Sequence, residues 1–154
     1  LYGGHQEQGL RPGTENTAFI AALGCAVEQM QADRQRRARV EALAARLWQG
    51  LAEIPGIVRN SPADAMPDVC NLSVENIKSE TMLHYLEARD IYVSSGSACS
   101  KGEASHTLQA MGLPRDRVDT AVRVSFCGEN TPEDVDALLA ALRCGVAEIA
   151  KIRR

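Results

Sequence analysis

The sequence predicts an α/β chain, in detail an α+β domain with a small, mostly antiparallel sheet and helices packed on one side. Three observations carry this. The segment AVRVSF, from Ala121 to Phe126, alternates apolar and polar residues with the period of a half-buried strand. A capped apolar stripe follows it, from Thr131 to Ile149, at helical spacing. Segments of both kinds are mixed along the chain, with no internal repeat and no low-complexity tract.

Each element has its own local reason. The first sixteen residues are Gly-rich and polar, with no capping or strand signal. From Thr17 to Leu51, Ile20, Leu23, Val27 and Met30, then Val40, Leu43, Leu47 and Leu51, recur at helical spacing, which predicts one long helix with a candidate break near Asp33. Ile54-Pro55-Gly56 ends it in a turn. A strand from Ile57 to Asn60 and a Pro-bounded loop from Ser61 to Pro67 precede a strand from Val69 to Val74, where Cys70, Leu72 and Val74 alternate with Asn71 and Ser73. Ser79-Glu80 opens a helix that ends near Ala88, and Ile91 to Val93 reads as a short strand. Ser105 caps a short helix carrying Leu108 and Met111, closed by Gly112 and Pro114. The last helix is the strongest prediction: Thr131 as N-cap, Pro132 at the first position, acidic Glu133 and Asp134, then Val135, Leu138, Leu139, Leu142, Val146 and Ile149 in one stripe.

Composition excludes several classes. The 154 residues are 45% hydrophobic and 24% charged, as expected of one compact globular domain. A net charge of -3 lacks the excess of Lys and Arg that a phosphate backbone requires, so nucleic acid is not an expected partner. The basic run Arg34 to Arg39 falls inside a helical pattern and reads as a solvated face. No window has the apolar length of a membrane span and the start lacks the regions of a signal peptide, so the expected location is cytoplasmic, with no membrane partner. The five cysteines are odd in number and include no C-x-x-C pair, so no metal site is expected. Cys25, Cys70 and Cys144 are expected to be small core residues.

Candidate chemistry concentrates in two places. Cys99 lies in VSSGSACSKGEASH, among small residues that leave a thiol uncovered, with backbone N–H groups and Lys101 nearby to favour the thiolate. The same composition fits an inert cysteine in a flexible turn, and residue chemistry alone leaves both open. Arg123 stands on the polar side of AVRVSF; it is either an ordinary surface residue or a bidentate partner for a substrate carboxylate. GSACSKG lacks the order of a phosphate-binding P-loop, and the first glycine-rich stretch lacks dinucleotide-site spacing. The three histidines are too scattered for a ligand set, with His84 on a helix surface. Nothing pairs Glu7 with Glu15.

GGHQEQGLRPGTEN at Gly3 to Asn16, SSGSACSKG at Ser94 to Gly102, SHTLQAMGL at Ser105 to Leu113, and VRVSF with NTPEDVD between Val122 and Asp136 occur in the order seen in the C-terminal part of cysteine desulfurases of the NifS/IscS type. The chain resembles that group, within the class V aminotransferases, over essentially its whole length. The resemblance implies the C-terminal domain of a fold-type I pyridoxal-phosphate transferase, usually a homodimer, that converts L-cysteine to L-alanine. It implies that Cys99 is the catalytic nucleophile, which takes the sulfur as a persulfide and delivers it to an acceptor protein, such as an iron-sulfur scaffold or a tRNA-thiolation protein. Arg123 matches the residue for the substrate α-carboxylate. Thr14 matches a cofactor-binding residue that reaches the pyridoxal-phosphate phosphate of the other subunit; Asn71 receives no role.

Departures from the pattern qualify the resemblance. His5 stands where a third glycine is usual, Pro12 where a small residue or Ser is usual, and Cys127 where Gly is expected after the R-x-S-x pattern. The loop between Cys99 and Ser105 is short. Cys127 is either filler or a resolving partner for Cys99. Lys78, Lys101 and Lys151 all lie outside the Ser-x-His-Lys context of the cofactor lysine. The expectation is a C-terminal piece, with residues 1–16 the tail of a large cofactor-binding domain and 17–154 a small domain, inactive alone. The alternatives are a cofactor-free module for sulfur relay or partner binding, and selenocysteine lyase or cysteine desulfhydrase chemistry.

Overall fold

A computed structural model describes residues 2–95 and 105–149. The backbone divides into two compact units, Leu1–Arg36 and Arg37–Arg154.

The first unit holds a short 3-10 turn, Gln6–Gly9, and helix α1, Thr17–Ala32. Asn16 caps α1, its Oδ1 accepting from the Phe19 N–H at 3.1 Å. No residue of α1 is buried, so the apolar positions Ile20, Leu23, Val27 and Met30 are exposed along with Phe19. Pro12 packs closely on Gly3, where a Cβ would stand 2.6 Å from the Pro12 ring.

The second unit is built on a three-stranded antiparallel sheet in the order β1-β2-β3, with β1 Ile57–Arg59, β2 Val69–Val74 and β3 Ala121–Ser125. Alternation assigns the two faces. Cys70, Leu72 and Val74 of β2, with Val122 and Val124 of β3, point into the main core. There they meet Val40, Leu43 and Leu47 of α2 (Arg36–Leu51), Met82 and Leu86 of α3 (Ser79–Glu87), and Val135, Leu138 and Leu142 of the C-terminal helix. The break near Asp33 is thus real: the expected single helix is two, α1 and α2.

The opposite face carries Asn71 and Ser73 of β2 and Ala121 and Arg123 of β3. Two short helices serve this side: α4, His106–Ala110, and α5, Arg115–Asp119, whose Leu108 and Val118 form a second small core with Ala121. The three long helices packed on the sheet therefore share one side, as expected, while α4 and α5 add a cover to the other. Sequence reading did not anticipate α5. Pro114, which the sequence predicts to close α4, is also the N-cap of α5, a place where the N–H that proline lacks is not needed by the helix.

Ends of elements follow local chemistry. Gly112, at φ 74, ends α4 with the Leu113 N–H bonded to the Leu108 carbonyl. Asp90, at φ 57, does the same after α3, where the Ile91 N–H reaches Leu86. Helix α6, Pro132–Glu148, starts on a capping box: Thr131 Oγ1 accepts from the Asp134 N–H, and Asp134 Oδ2 accepts from the Thr131 N–H at 2.9 Å. Arg46 of α2 forks onto Asp136 of α6 at 2.7 and 2.6 Å.

One expected strand is absent: Ile91 to Val93 is not a strand, and pairing is confined to a single bridge between Ser94 and Arg123. Two hydrogen bonds make that bridge, Ser94 N–H to the Arg123 carbonyl and Arg123 N–H to the Ser94 carbonyl, so the segment touches β3 at one point rather than running along it. The cysteine expectations divide. Cys70 is buried, whereas Cys144 is exposed because α6 turns that position away from the core, and Cys25 is exposed because α1 buries none of its residues.

Candidate functional site

The polar face of the sheet forms one side of a cavity of about 380 Å³ lined by Asn71, Arg123, Ser95, Ser105, Thr107 and Met111, with the loop after β1 as a further wall. Arg123 reaches it because β3 places odd-numbered residues on this face. Its backbone is bonded to Ser94 on one side, leaving Asn71↔Arg123 as a pair on the other strand without mutual backbone hydrogen bonds. Such pairs bring side chains closest together, so Asn71 and Arg123 are neighbours on the cavity floor.

Arg123 has an unusual electrostatic position. Its Nε is buried and finds no acceptor among the described residues. Leaving a buried donor unpaired costs about 1–3 kcal/mol, more when the group is charged. A guanidinium in that state, opening on a cavity, is matched to a ligand with a planar anionic acceptor such as a carboxylate.

A relay of polar groups stands behind Asn71. Arg117 of α5 donates from both Nε and Nη2 to Asn60 Oδ1, and from Nη2 to the Arg59 carbonyl at 2.7 Å. Buried Asn60 donates its amide to Asn71 Oδ1 and to Ser73 Oγ, each at 2.8 Å, and Ser73 donates to the Arg117 carbonyl at 2.6 Å. The loop wall is held by Arg59, whose guanidinium lies 4.3 Å from the Trp48 ring centre and donates to the Ser61 and Pro62 carbonyls at 2.8 and 2.7 Å. Sequence reading missed Asn60, Arg117 and Arg59. Polar residues beside a strand carry no signal of burial until the helix that covers them is known.

The other sequence-predicted residues are placed as follows. Cys99 lies outside the described residues, as does the loop between it and Ser105. Thr14 is exposed in the first unit, ahead of α1. Cys127 is exposed just beyond β3, its N–H donating to Asn130 Oδ1 at 2.9 Å. His84 is exposed on α3 beside Glu87. Burial pushes the Cys70 thiol up to about 11, partly offset by the Arg59 charge, so it stays protonated and unreactive at neutral pH.

For a pyridoxal group the essential protein residue is a lysine amine. Lys78 is exposed immediately before α3, and no lysine lines the cavity among the described residues. These residues therefore do not compose a cofactor site.

Residues 4–138 match the family model described as aminotransferase class-V. Among curated relatives, a cysteine desulfurase of Gluconacetobacter diazotrophicus is 42% identical, covering 99% of this chain and 39% of the relative. A NifS/IcsS protein homolog of Lactobacillus delbrueckii is also 42% identical, over 90% of this chain and 37% of its own length. Cysteine desulfurase NifS of Azotobacter vinelandii is 37% identical over 99% of this chain and 39% of the relative. In shape, the chain is similar to a solved NifS-like protein, with a TM-score of 0.83 and 30% identity over 97% of this chain and 39% of that one. The chain thus spans less than two-fifths of these relatives.

Proposed function

The chain belongs to the aminotransferase class-V family, and from that premise we propose that it is the C-terminal part of a cysteine desulfurase, in which Arg123 holds the substrate carboxylate and Cys99 receives the sulfur. The single observation that carries this reading is the Arg123 guanidinium at the floor of a cavity, with a buried Nε that lacks an acceptor among the described residues. The α-carboxylate of L-cysteine supplies what that donor lacks.

In this reading Arg123 binds and orients the amino acid. The Cys99 thiolate attacks the substrate sulfur, the new S–S bond forms as the Cβ–S bond breaks, and the electron pair left on carbon takes up a proton to give L-alanine. Cys99 is left as a persulfide, to be passed to an acceptor protein such as an iron-sulfur scaffold. Its small-residue surroundings suit a thiol that must meet both substrate and acceptor.

The lysine that holds pyridoxal phosphate belongs to the remaining length that the relatives have and this chain lacks; 154 residues alone are expected to turn over no cysteine. Residues 1–16 are read as the tail of that larger domain and 17–154 as the small domain. Thr14, exposed ahead of α1, has a hydroxyl suited to a cofactor phosphate oxygen of the other subunit in a homodimer. The proposed location is cytoplasmic; among the described residues no helix is long and apolar enough to cross a membrane.

The test is L-alanine formation from L-cysteine by the longer protein that contains this chain. Cys99→Ala should abolish it; alanine and sulfide production that survives the substitution excludes Cys99 as the sulfur acceptor. Parallel rates with selenocysteine and cystine separate a desulfurase from lyase or desulfhydrase chemistry.

A further inference from the structure

We propose that Asn71 is a second substrate-binding residue, presenting its amide N–H donors beside Arg123 to the same carboxylate, with Arg117 and Asn60 as the positioning residues that fix which way that amide faces. This rests on the reading of Arg123 as the carboxylate partner.

The argument is one of donors and acceptors. A guanidinium has five N–H donors and no acceptor, so the group that Arg117 contacts on Asn60 must be the amide oxygen. The Asn60 nitrogen then faces the other way, toward Ser73 Oγ and the Asn71 side chain. Ser73 has committed its proton to the Arg117 carbonyl, which leaves its oxygen free to accept from Asn60. The Asn71 atom that meets the Asn60 nitrogen must likewise be an acceptor, its Oδ1. The Asn71 amide nitrogen is therefore turned away from Asn60, and among the described residues nothing accepts from it.

Geometry places that nitrogen where it counts. Asn71 is half-buried, lines the cavity, and is paired with Arg123 across β2 and β3. Its backbone is committed elsewhere, the N–H to Ser61 Oγ at 2.8 Å and the carbonyl accepting from the Asn60 and Ser61 N–H groups. Two adjacent donor groups, one charged and one neutral, make a floor that favours a carboxylate over its amide, because an amide nitrogen would meet donors and find no acceptor.

The experiment uses the full-length holoenzyme and measures KM for L-cysteine and inhibition constants for L-alanine and L-alaninamide, which differ in having a carboxylate or a carboxamide. Asn71→Asp keeps the oxygen that accepts from Asn60 and replaces the donor with an acceptor. It should weaken L-alanine and raise the KM by about tenfold or more, and weaken L-alaninamide far less, reducing the carboxylate preference by about that factor. Asn60→Asp leaves the ligand-facing residue intact but lets Asn71 turn its nitrogen inward and its oxygen to the cavity; the same loss of preference is expected. Equal weakening of both inhibitors, or no change in either, overturns the proposal. Arg123→Ala, measured alongside, separates the two levels of the account. If it weakens L-alanine while both Asn variants keep the preference, only the role of Asn71 fails; if it too leaves L-alanine unchanged, the carboxylate is held elsewhere and the underlying reading fails.

Discussion

Arg123 and Asn71 face each other across neighbouring strands, and the Arg123 Nε is buried with no acceptor among the described residues. A strand position that looks like surface in the sequence is thereby a cavity floor with one charge to satisfy. Replacing Arg123 by Ala in the full-length protein should raise the KM for L-cysteine by about 10- to 100-fold, the worth of a charge-assisted hydrogen bond. Arg123→Lys keeps the charge but loses the planar fork and should fall between. Initial rates over a range of L-cysteine concentrations give the result.

Arg117 holds a different balance. Its loss leaves buried Asn60 Oδ1 without donors and frees the Arg59 carbonyl, while Val118 next to it still packs on Leu108. Arg117→Met is expected to lower stability by about 1–3 kcal/mol, read from the denaturant midpoint at unchanged slope.

The start of α6 should be acid-sensitive. Asp134 is held below the usual carboxylate range, first by the Thr131 backbone N–H and then by the Asn130 side chain. A carboxyl with a lowered folded-state pKa contributes stability that is complete above its unfolded value, about 3.9, and is lost as pH falls through the folded value. Asp136 beside Arg46 behaves likewise, the Arg46 hydrogen bond being the main cause. Asp134→Asn should thus flatten the fall of Tm below about pH 4. Thr131→Ala should lower Tm by a few degrees at all pH values, because the Asp134 N–H loses its acceptor.

Thiol reactivity should separate the cysteines. Cys70 is buried with its pKa raised to about 11, whereas Cys127 and Cys144 are exposed. Brief alkylation of the native protein at neutral pH, followed by peptide mass analysis, is expected to modify Cys127 and Cys144 and leave Cys70 intact until denaturant is added.

The sequence foretold much of this because local signals and burial agree in particular elements. Val69 to Val74 and the Thr131 cap were legible because alternation and capping chemistry act between near neighbours. Arg123 was legible as a candidate from the same alternation, which put it opposite Val122 and Val124. Two things were not legible. The strand expected at Ile91 to Val93 failed because strand formation needs a partner, and only Ser94 finds one. The Arg117–Asn60–Asn71 relay escaped because residues 57 positions apart meet only through the tertiary fold. Cys25 and Cys144 are exposed against expectation for a related reason: the buried habit of cysteine is an average, and helix phase decides it for Cys144, while α1 buries no face at all for Cys25.

The central claim is that Cys99 is the atom on which the sulfur of L-cysteine comes to rest. It is tested most directly by mixing the full-length protein with one equivalent of L-cysteine, without reductant, and locating any added sulfur by peptide mass analysis. The account predicts a mass increase of one sulfur atom on the peptide containing Cys99, formed together with L-alanine, and none on the peptide containing Cys127. L-alanine formed with the added sulfur on Cys127, or with no added sulfur on Cys99 in a single turnover, would contradict it.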